Sequence, residues 1–391
     1  MSNTSNSYPG VLTFYSGKGG AGKTTIAYNL GRELMAAGKK VLFVDWDGGQ
    51  ASLSALAGIN VAELQYGIYE ALQESILSGV PDTRSPQFRQ MLAKIVKCVR
   101  WLGAEKKSAI LANNLELAAL ESDLADFPGR EHVLGQFLSF FAPRFDYILI
   151  DPPPSRGLLT VNALTAAHWL IIPVVPSSLD FQSLASMLSH PKFLPRITGR
   201  NWGEEMRRLA LDSSIWYKLT PFRQAAEQQA QLDCSASDAE ETGEFLKGFE
   251  YHPLKTELRY PNPGLKIVAV IPNMYEPGIA DSREVLQKLS AIFGPLPARE
   301  TVLTGEAAGS AGRYLAPQGQ GILMPPIPFS GTYRRGYGQR LAGSAGEQRY
   351  EPALAAHELD RRQKPAWNYI VEYLIDRTGR DFQKKELGDA I

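Results

Sequence analysis

A short glycine-rich segment carries the residues of this chain that are best suited to chemistry. Gly17 and Gly22 enclose four residues and are followed by Lys23 and Thr24, which fits the spacing G-x-x-x-x-G-K-[ST]. In such a loop, backbone N–H groups surround nucleotide phosphates, the lysine contacts the outer phosphate oxygens and the hydroxyl ligates Mg²⁺. The residues expected to contact a nucleotide are Gly17, Gly19, Gly20, Ala21, Gly22, Lys23, Thr24 and Thr25.

The segments on both sides of the loop predict the elements that would hold it. Residues 11–15 form an apolar run with β-branched and aromatic side chains, which is typical of a buried strand. After the loop, apolar residues recur at helical spacing up to Met35, and Gly38 can end the helix. This order directs a helix N-terminus at phosphate. The alternative is a glycine-rich turn with two solvated lysines.

Further strand-like runs end in polar residues that have functional potential. These residues are Asp45 and Asp47 after 41–44, Asp151 after 147–150, and Asn273 after 266–271. In an open α/β sheet the ligand lies at the carboxyl ends of the strands, so we expect all four side chains to converge on the glycine loop.

This set of residues suits ATP hydrolysis, which requires charge neutralisation, a metal and an oriented water. Lys23 would neutralise the β- and γ-phosphate oxygens, and Thr24 and Asp151 would hold Mg²⁺. The Asn273 amide offers both a donor and an acceptor to an adenine edge. The structural alternative for Asn273 is a turn cap after a strand.

The alternation of strand-like and helical patterns predicts an α/β fold, with a mostly parallel twisted sheet covered by helices on both faces. The strand-like runs are 11–15, 41–44, 115–120, 147–150, 169–174 and 266–271. Residues 88–101 have a helical pattern. Residues 191–261 are rich in aromatic side chains and are expected to fold as an inserted helical subdomain.

Composition narrows the class of protein. The 391 residues include 41 basic and 41 acidic side chains, so binding to nucleic acid would need a local basic patch. Cys98 and Cys234 are far apart, which argues against a disulfide framework or an iron–sulfur cluster and favours a reducing cytoplasm. No apolar run approaches the length of a membrane span, and residues 1–10 are polar.

With Lys18 included, the loop resembles the deviant Walker A motif of the ParA/MinD family of P-loop ATPases. Four later segments extend the resemblance, which is closest to ParA/Soj-type partition ATPases. These are Val41–Gln50 with its D-x-D, Tyr147–Ser155 as the Walker B strand, Gly157–Ala167, and Asn262–Tyr275. The resemblance implies a P-loop NTPase fold and one ATPase domain over 1–391.

The resemblance also implies roles for individual residues. Lys18 would reach across a dimer to the partner's nucleotide and act with Lys23 and Asp47 in catalysis. Asp47 would position the attacking water, and Asp45 would be a supporting acid near the metal. The alternatives are a solvated loop lysine and two strand-end caps. Pro328 falls where a second base-contacting loop is expected.

Partners follow from the resemblance as well. It implies a homodimer in the ATP state that binds DNA non-specifically, together with a ParB-like partner or cargo adaptor that stimulates hydrolysis. The candidate DNA contacts are Arg334, Arg335 and Arg340, with a solvated basic loop as the alternative. The expected location is the cytoplasm, at the nucleoid if DNA is bound.

Two other functions remain open from the sequence. One is a MinD-like or cargo-positioning ATPase that acts on a membrane or protein cargo. An apolar stripe from Trp367 to Ile375 would serve as its amphipathic anchor, but a last helix packed on the sheet explains the stripe better, so a membrane partner is not expected. The other is a metabolic P-loop ligase or synthetase whose small substrate would occupy the 191–261 insertion.

Overall fold

The computed structural model describes a large part of the chain. The described residues are 9–79, 85–102, 107–141, 144–189, 193–199, 262, 264–297, 299–300, 313–314, 322–329 and 363–388. The 191–261 insertion, apart from 193–199, lies outside them, so its helical subdomain stays a prediction.

Within the described residues, seven strands form one sheet in the order β3-β4-β2-β5-β1-β6-β7. Their bounds are β1 Gly10–Phe14, β2 Val41–Asp45, β3 Val99–Leu102, β4 Ser108–Leu111, β5 Tyr147–Asp151, β6 Trp169–Val174 and β7 Lys266–Pro272. All neighbouring strands are parallel except β3, which runs antiparallel to β4. A further two-stranded pair joins β8 Arg299–Glu300 to β9 Arg313–Tyr314.

Helices connect the parallel strands. Their bounds are α1 Lys23–Ala36, α2 Ser52–Leu56, α3 Ile68–Gln73, α4 Pro86–Ile95, α5 Leu120–Asp123, α6 Val133–Ser139, α7 Leu158–Ala166, α8 Ser178–Ser189, α9 Leu194–Thr198, α10 Ala280–Phe293 and α11 Lys364–Gly388. This is the mostly parallel, helix-covered sheet of a P-loop NTPase, as the sequence predicts.

Two apolar cores confirm that helices cover both faces of the sheet. On one face, Phe14 and Leu149 pack with α1 and α11. On the other face, Val44 and Ile148 pack with α3, α6, α7 and α8. Successive side chains of a strand point to opposite faces, so the near-continuous apolar runs of β2 and β5 supply both cores.

The sequence prediction was wrong for the side of the sheet beyond β2, which consists of β4 and the edge strand β3. The strand expected over 115–120 is a 3₁₀ turn, Glu116–Ala119, followed by α5, and the strand of this region is β4. Leu117 and Leu120 are buried at helical spacing, and β4 has only four residues, too few to give a clear period. The helical pattern of 88–101 also ends early, because Val99–Leu102 pairs with β4 as a strand.

The last helix supports packing on the sheet as the explanation of the apolar stripe. Trp367, Ile370 and Leu374 are buried against α1 and the sheet. The Lys364 ammonium forms an ion pair of 2.6 Å with Glu33 on α1. None of the helices among the described residues combines the length and the apolar character that a bilayer-spanning helix needs.

Candidate nucleotide and metal site

The glycine loop connects β1 to α1 and leaves the helix N-terminus open. Gly20 and Gly22 have φ values of 82° and 88°, which favour glycine because other residues meet steric strain there. Gly22 precedes the first residue of α1 and supplies no side-chain cap, so the first N–H groups of the helix remain available to a ligand.

At two positions of the loop, close contacts leave no room for a side chain. A Cβ on Gly22 would lie 2.2 Å from Nδ2 of Asn273, and a Cβ on Gly17 would lie 2.8 Å from Oγ of Ser183 on α8. The loop therefore fits between α8 and the end of β7 only because these positions carry no side chain.

Two acidic side chains meet beside the loop, at the ends of adjacent strands. Asp45 on β2 and Asp151 on β5 are register partners, and both are buried. One oxygen of Asp45 accepts a hydrogen bond from the Ser54 backbone N–H at 2.7 Å. Among the described residues, no hydrogen-bond partner reaches the other Asp45 oxygen or either oxygen of Asp151.

Burial raises the pKa of both carboxyl groups. The pKa of Asp45 rises to about 7, with the Ser54 hydrogen bonds opposing this in part. Burial and the charge of Asp45 raise the pKa of Asp151 well above its usual range. The Thr24 hydroxyl and the Lys23 ammonium partly favour the charged form of Asp151, the hydroxyl without reaching hydrogen-bonding geometry.

Lys23, at the first position of α1, is also buried. Burial lowers its pKa, and the charges of Asp151 and Asp47 act in the opposite direction. Unpaired buried carboxylate oxygens beside a threonine hydroxyl are a donor set that fits Mg²⁺, which binds one or two carboxylates together with substrate phosphates. Thr24 and Asp151, supported by Asp45, are the residues that would hold the ion.

Asp47 lies on the loop that follows β2 and is nearly buried. Its carboxylate accepts a hydrogen bond from Gly49 N–H at 3.0 Å, and its backbone carbonyl accepts one from Nδ2 of Asn113 at 2.6 Å. Sequence reasoning missed Asn113. The available signal was its place directly after the apolar run 109–112, just as Asp45 directly follows the apolar run 41–44.

Lys18 lies on the exposed part of the loop and contacts its own chain. Its ammonium is 3.1 Å from the Asp180 carboxylate on α8, with the lysine side chain 49% exposed and the aspartate 9%. The Ser177 hydroxyl donates to the same Asp180 oxygen at 2.6 Å. In this structure Lys18 is therefore held within the protomer.

Asn273 and Pro328 lie close to each other, at the end of β7. The segment 322–329 runs beside β7, where Tyr275 donates to the Ile327 carbonyl at 2.9 Å and pairs with Pro328. The Asn273 side chain is buried and donates to the Ala21 carbonyl of the glycine loop at 3.1 Å. The structure thus places Asn273 against the loop, and its contact with adenine stays a prediction.

The three arginines expected to contact DNA, Arg334, Arg335 and Arg340, lie outside the described residues.

The fold and site define the chain as a P-loop protein, and comparisons with known proteins show which proteins it resembles. Residues 10–197 match the profile of the AAA domain family. The sporulation initiation inhibitor protein Soj of Bacillus subtilis is 33% identical over 179 residues, covering 46% of this chain and 63% of that protein. The chromosome-partitioning ATPase Soj of Treponema pallidum is 35% identical over 185 residues, with the same coverages.

A solved structure supports the fold of the described residues. The ATP complex of a McdA variant from Cyanothece superposes with a TM-score of 0.53 at 18% identity, covering 94% of this chain and 97% of that one. The alignments with the two Soj proteins span less than two thirds of those relatives. Together these findings confirm the P-loop NTPase fold and support the resemblance of residues 10–197 to the ParA/MinD family.

Proposed function

We propose that this chain binds ATP with Mg²⁺, hydrolyses it as a homodimer, and uses the ATP state to bind DNA in a partition process. The observation that carries the proposal is the pair of buried carboxylates beside Lys23 and Thr24, with unpaired oxygens next to an open helix N-terminus. Such groups are costly without a cation, and a triphosphate with its metal supplies the matching charges.

In this proposal, each site residue has a separate role in hydrolysis. N–H groups of the loop and of α1 bind the phosphates, and Lys23 neutralises charge on the β and γ oxygens. Mg²⁺ held by Thr24 and Asp151 would supply positive charge against the negative charge that develops on the phosphate oxygens. Asp47 orients the attacking water for in-line displacement. Thr24 and Asp151 would hold the ion, and Asp45 would act as a supporting acid beside them.

Lys18 completes the partner's site in this proposal. A cation from a second protomer stabilises charge on the transferring phosphoryl group, as arginine fingers do. Because Lys18 now pairs with Asp180 on its own chain, dimerisation must exchange that contact for the partner's phosphates. Because the Lys18 side chain is half exposed, water screens this ion pair and it contributes on the order of 1 kcal/mol, so the exchange costs little compared with a phosphate contact.

The role in partition rests on relatives and on the basic segment. The Treponema pallidum relative is named as a chromosome-partitioning ATPase. A homodimer doubles the segment with Arg334, Arg335 and Arg340, which suits contact with DNA phosphates without base reading. A ParB-like protein or cargo adaptor would then stimulate hydrolysis and release. Burial of the Trp367 stripe disfavours the membrane alternative.

ATP turnover with and without Mg²⁺ tests the proposal. The wild-type chain should hydrolyse ATP slowly, and EDTA should abolish the activity. Lys23→Ala and Asp151→Asn should reduce turnover by at least about a hundredfold, whereas Lys39→Ala, in the exposed turn after α1, should have no effect. Turnover that persists in Asp151→Asn would refute the assignment of the site.

A further inference from the structure

Asn113 is a buried amide to which the proposed reaction gives no role. It lies just beyond β4 with no exposed surface, and its backbone N–H and both polar atoms of its side chain form hydrogen bonds. Its backbone N–H donates to the Ser54 hydroxyl at 3.0 Å, and its Oδ1 accepts from Leu115 N–H at 2.9 Å. Its Nδ2 donates to the Asp47 carbonyl at 2.6 Å.

These bonds connect both acids of the D-x-D segment. The Ser54 backbone N–H donates to the Asp45 carboxylate at 2.7 Å, while the Ser54 hydroxyl accepts from Asn113. A continuous path therefore runs from Asp45 through Ser54 and Asn113 to Asp47. It crosses between the loop after β2 and the segment after β4, so the adjacent strand supports the catalytic loop.

The Asp47 loop needs such support. Asp47 is followed by Gly48 and Gly49, whose backbones are freer than those of other residues. A Cβ on Gly48 would lie 2.9 Å from the Ala118 backbone, so the segment after β4 also contacts the loop directly. Water positioning is sensitive to displacements of about 1 Å, which can cost about a hundredfold in rate.

We propose that Asn113 is a positioning residue, which fixes the Asp47 loop through its bond to the Asp47 carbonyl so that the carboxylate meets the attacking water. The inference rests on the proposed function, in which Asp47 orients that water. Asn113 itself touches neither nucleotide nor metal in this account, so its loss should lower kcat and leave nucleotide affinity intact.

The test compares Asn113→Ala with Asn114→Ala. Asn114 is the matched control, because its amide bonds Glu70 at 2.9 Å and 3.0 Å and does not contact the Asp47 loop. Asn113→Ala should lower kcat roughly ten- to a hundredfold, with the Kd for a non-hydrolysable ATP analogue within about twofold of wild type. Amides of residues 47–54 should exchange hydrogen faster in Asn113→Ala than in Asn114→Ala.

An unchanged kcat in Asn113→Ala, or equal losses of kcat and analogue affinity, would overturn the positioning role. If Asn113→Ala does not fold, Asn113→Ser keeps the position polar but is too short to keep the bond to the Asp47 carbonyl, and an unchanged kcat there would overturn the positioning role as well. A wild-type chain without ATP turnover would refute the proposed function itself, and the inference with it. Normal wild-type turnover with a fully active Asn113→Ala refutes only the inference.

Discussion

Asp45 and Asp151 lie side by side at the ends of β2 and β5, buried and only partly hydrogen-bonded. Their raised pKa values show how costly two negative charges are at this position without a cation. The two buried acids therefore lower the stability of the protein without its ligand, which is common for residues that form a binding site.

The metal-free protein should lose stability as pH rises. An acid whose folded pKa is above its unfolded value binds more protons in the folded state, so the free energy of unfolding falls between about pH 4 and pH 7 for Asp45. Urea unfolding in EDTA should give a value lower at pH 8 than at pH 5 by a few kcal/mol.

Asp45→Asn should reduce this pH dependence, whereas Asp126→Asn, at an exposed turn, should leave it unchanged. A wild-type protein more stable at pH 8 than at pH 5 would contradict the electrostatic account. Adding Mg²⁺ and an ATP analogue should remove much of the loss, because the cation favours the charged carboxylates.

The pair between Lys18 and Asp180 gives a second prediction. Asp180→Asn weakens the intramolecular contact of Lys18 and should tighten ATP-dependent dimerisation by about fivefold, the effect expected for an ion pair whose lysine is half exposed. Sedimentation analysis with an ATP analogue measures this change. Asp281→Asn is the control, since the Asp281 carboxylate accepts a hydrogen bond from the Ser178 N–H at the start of α8 and does not pair with Lys18. Weaker dimerisation in Asp180→Asn would refute this prediction.

Strained backbone conformations occur near the nucleotide site in sequence. Among the described residues, three non-glycine residues have positive φ: Ala51, Leu115 and Met274. Each is close in sequence to a site residue, namely Asp47, Asn113 and Asn273. Such conformations cost of order 1–3 kcal/mol and tend to occur where function requires them.

At the level of secondary structure, the glycine loop depends on its neighbours. Gly22→Ala would combine strain at φ 88° with a contact of 2.2 Å to Asn273. We expect a loss of at least tenfold in ATP affinity, measured by titration with a labelled analogue. Gly278→Ala is the control, because a Cβ there meets no atom within 4 Å and its φ is not positive. Unchanged affinity in Gly22→Ala would show that the loop adapts.

The central strands and their functional ends were predictable from sequence, because β1, β2 and β5 are largely apolar runs followed by distinctive glycine or acidic motifs. β4 and β3 were not, since four-residue strands show little periodicity and β3 follows a helix directly. Asn113 was missed for the same reason, because its position at a strand end became visible only once β4 was placed.

Side-chain pairings were beyond sequence reasoning. Nothing in the order of residues indicates that Lys18 meets Asp180, which is 162 positions away, or that Asn273 bonds the Ala21 carbonyl. These contacts depend on how α8 packs near the glycine loop and on where β7 ends, two strands away from β1, and only the three-dimensional arrangement determines both.

At the scale of the whole molecule, the prediction of DNA binding depends on arginines that lie outside the described residues. With net charge zero over the chain, affinity for DNA must come from a local basic segment. Arg334→Ala/Arg335→Ala should weaken ATP-dependent DNA binding uniformly across sequences and reduce the salt slope by about two per protomer, or about four per dimer. Lys39→Ala/Lys40→Ala is a charge-matched control on the turn after α1. Equal binding by wild type and the arginine variant would refute this patch.

The central claim is that each protomer supplies Lys18 to its partner's site. Mixing Lys18→Ala with Asp47→Ala tests it directly, because neither variant alone should hydrolyse ATP. A mixed dimer has one site with Asp47 and the partner's Lys18 both intact, so an equal mixture should recover about a quarter of wild-type turnover. If Lys18 acts only within its own protomer, no complete site forms in the mixture and turnover stays at the level of the separate variants.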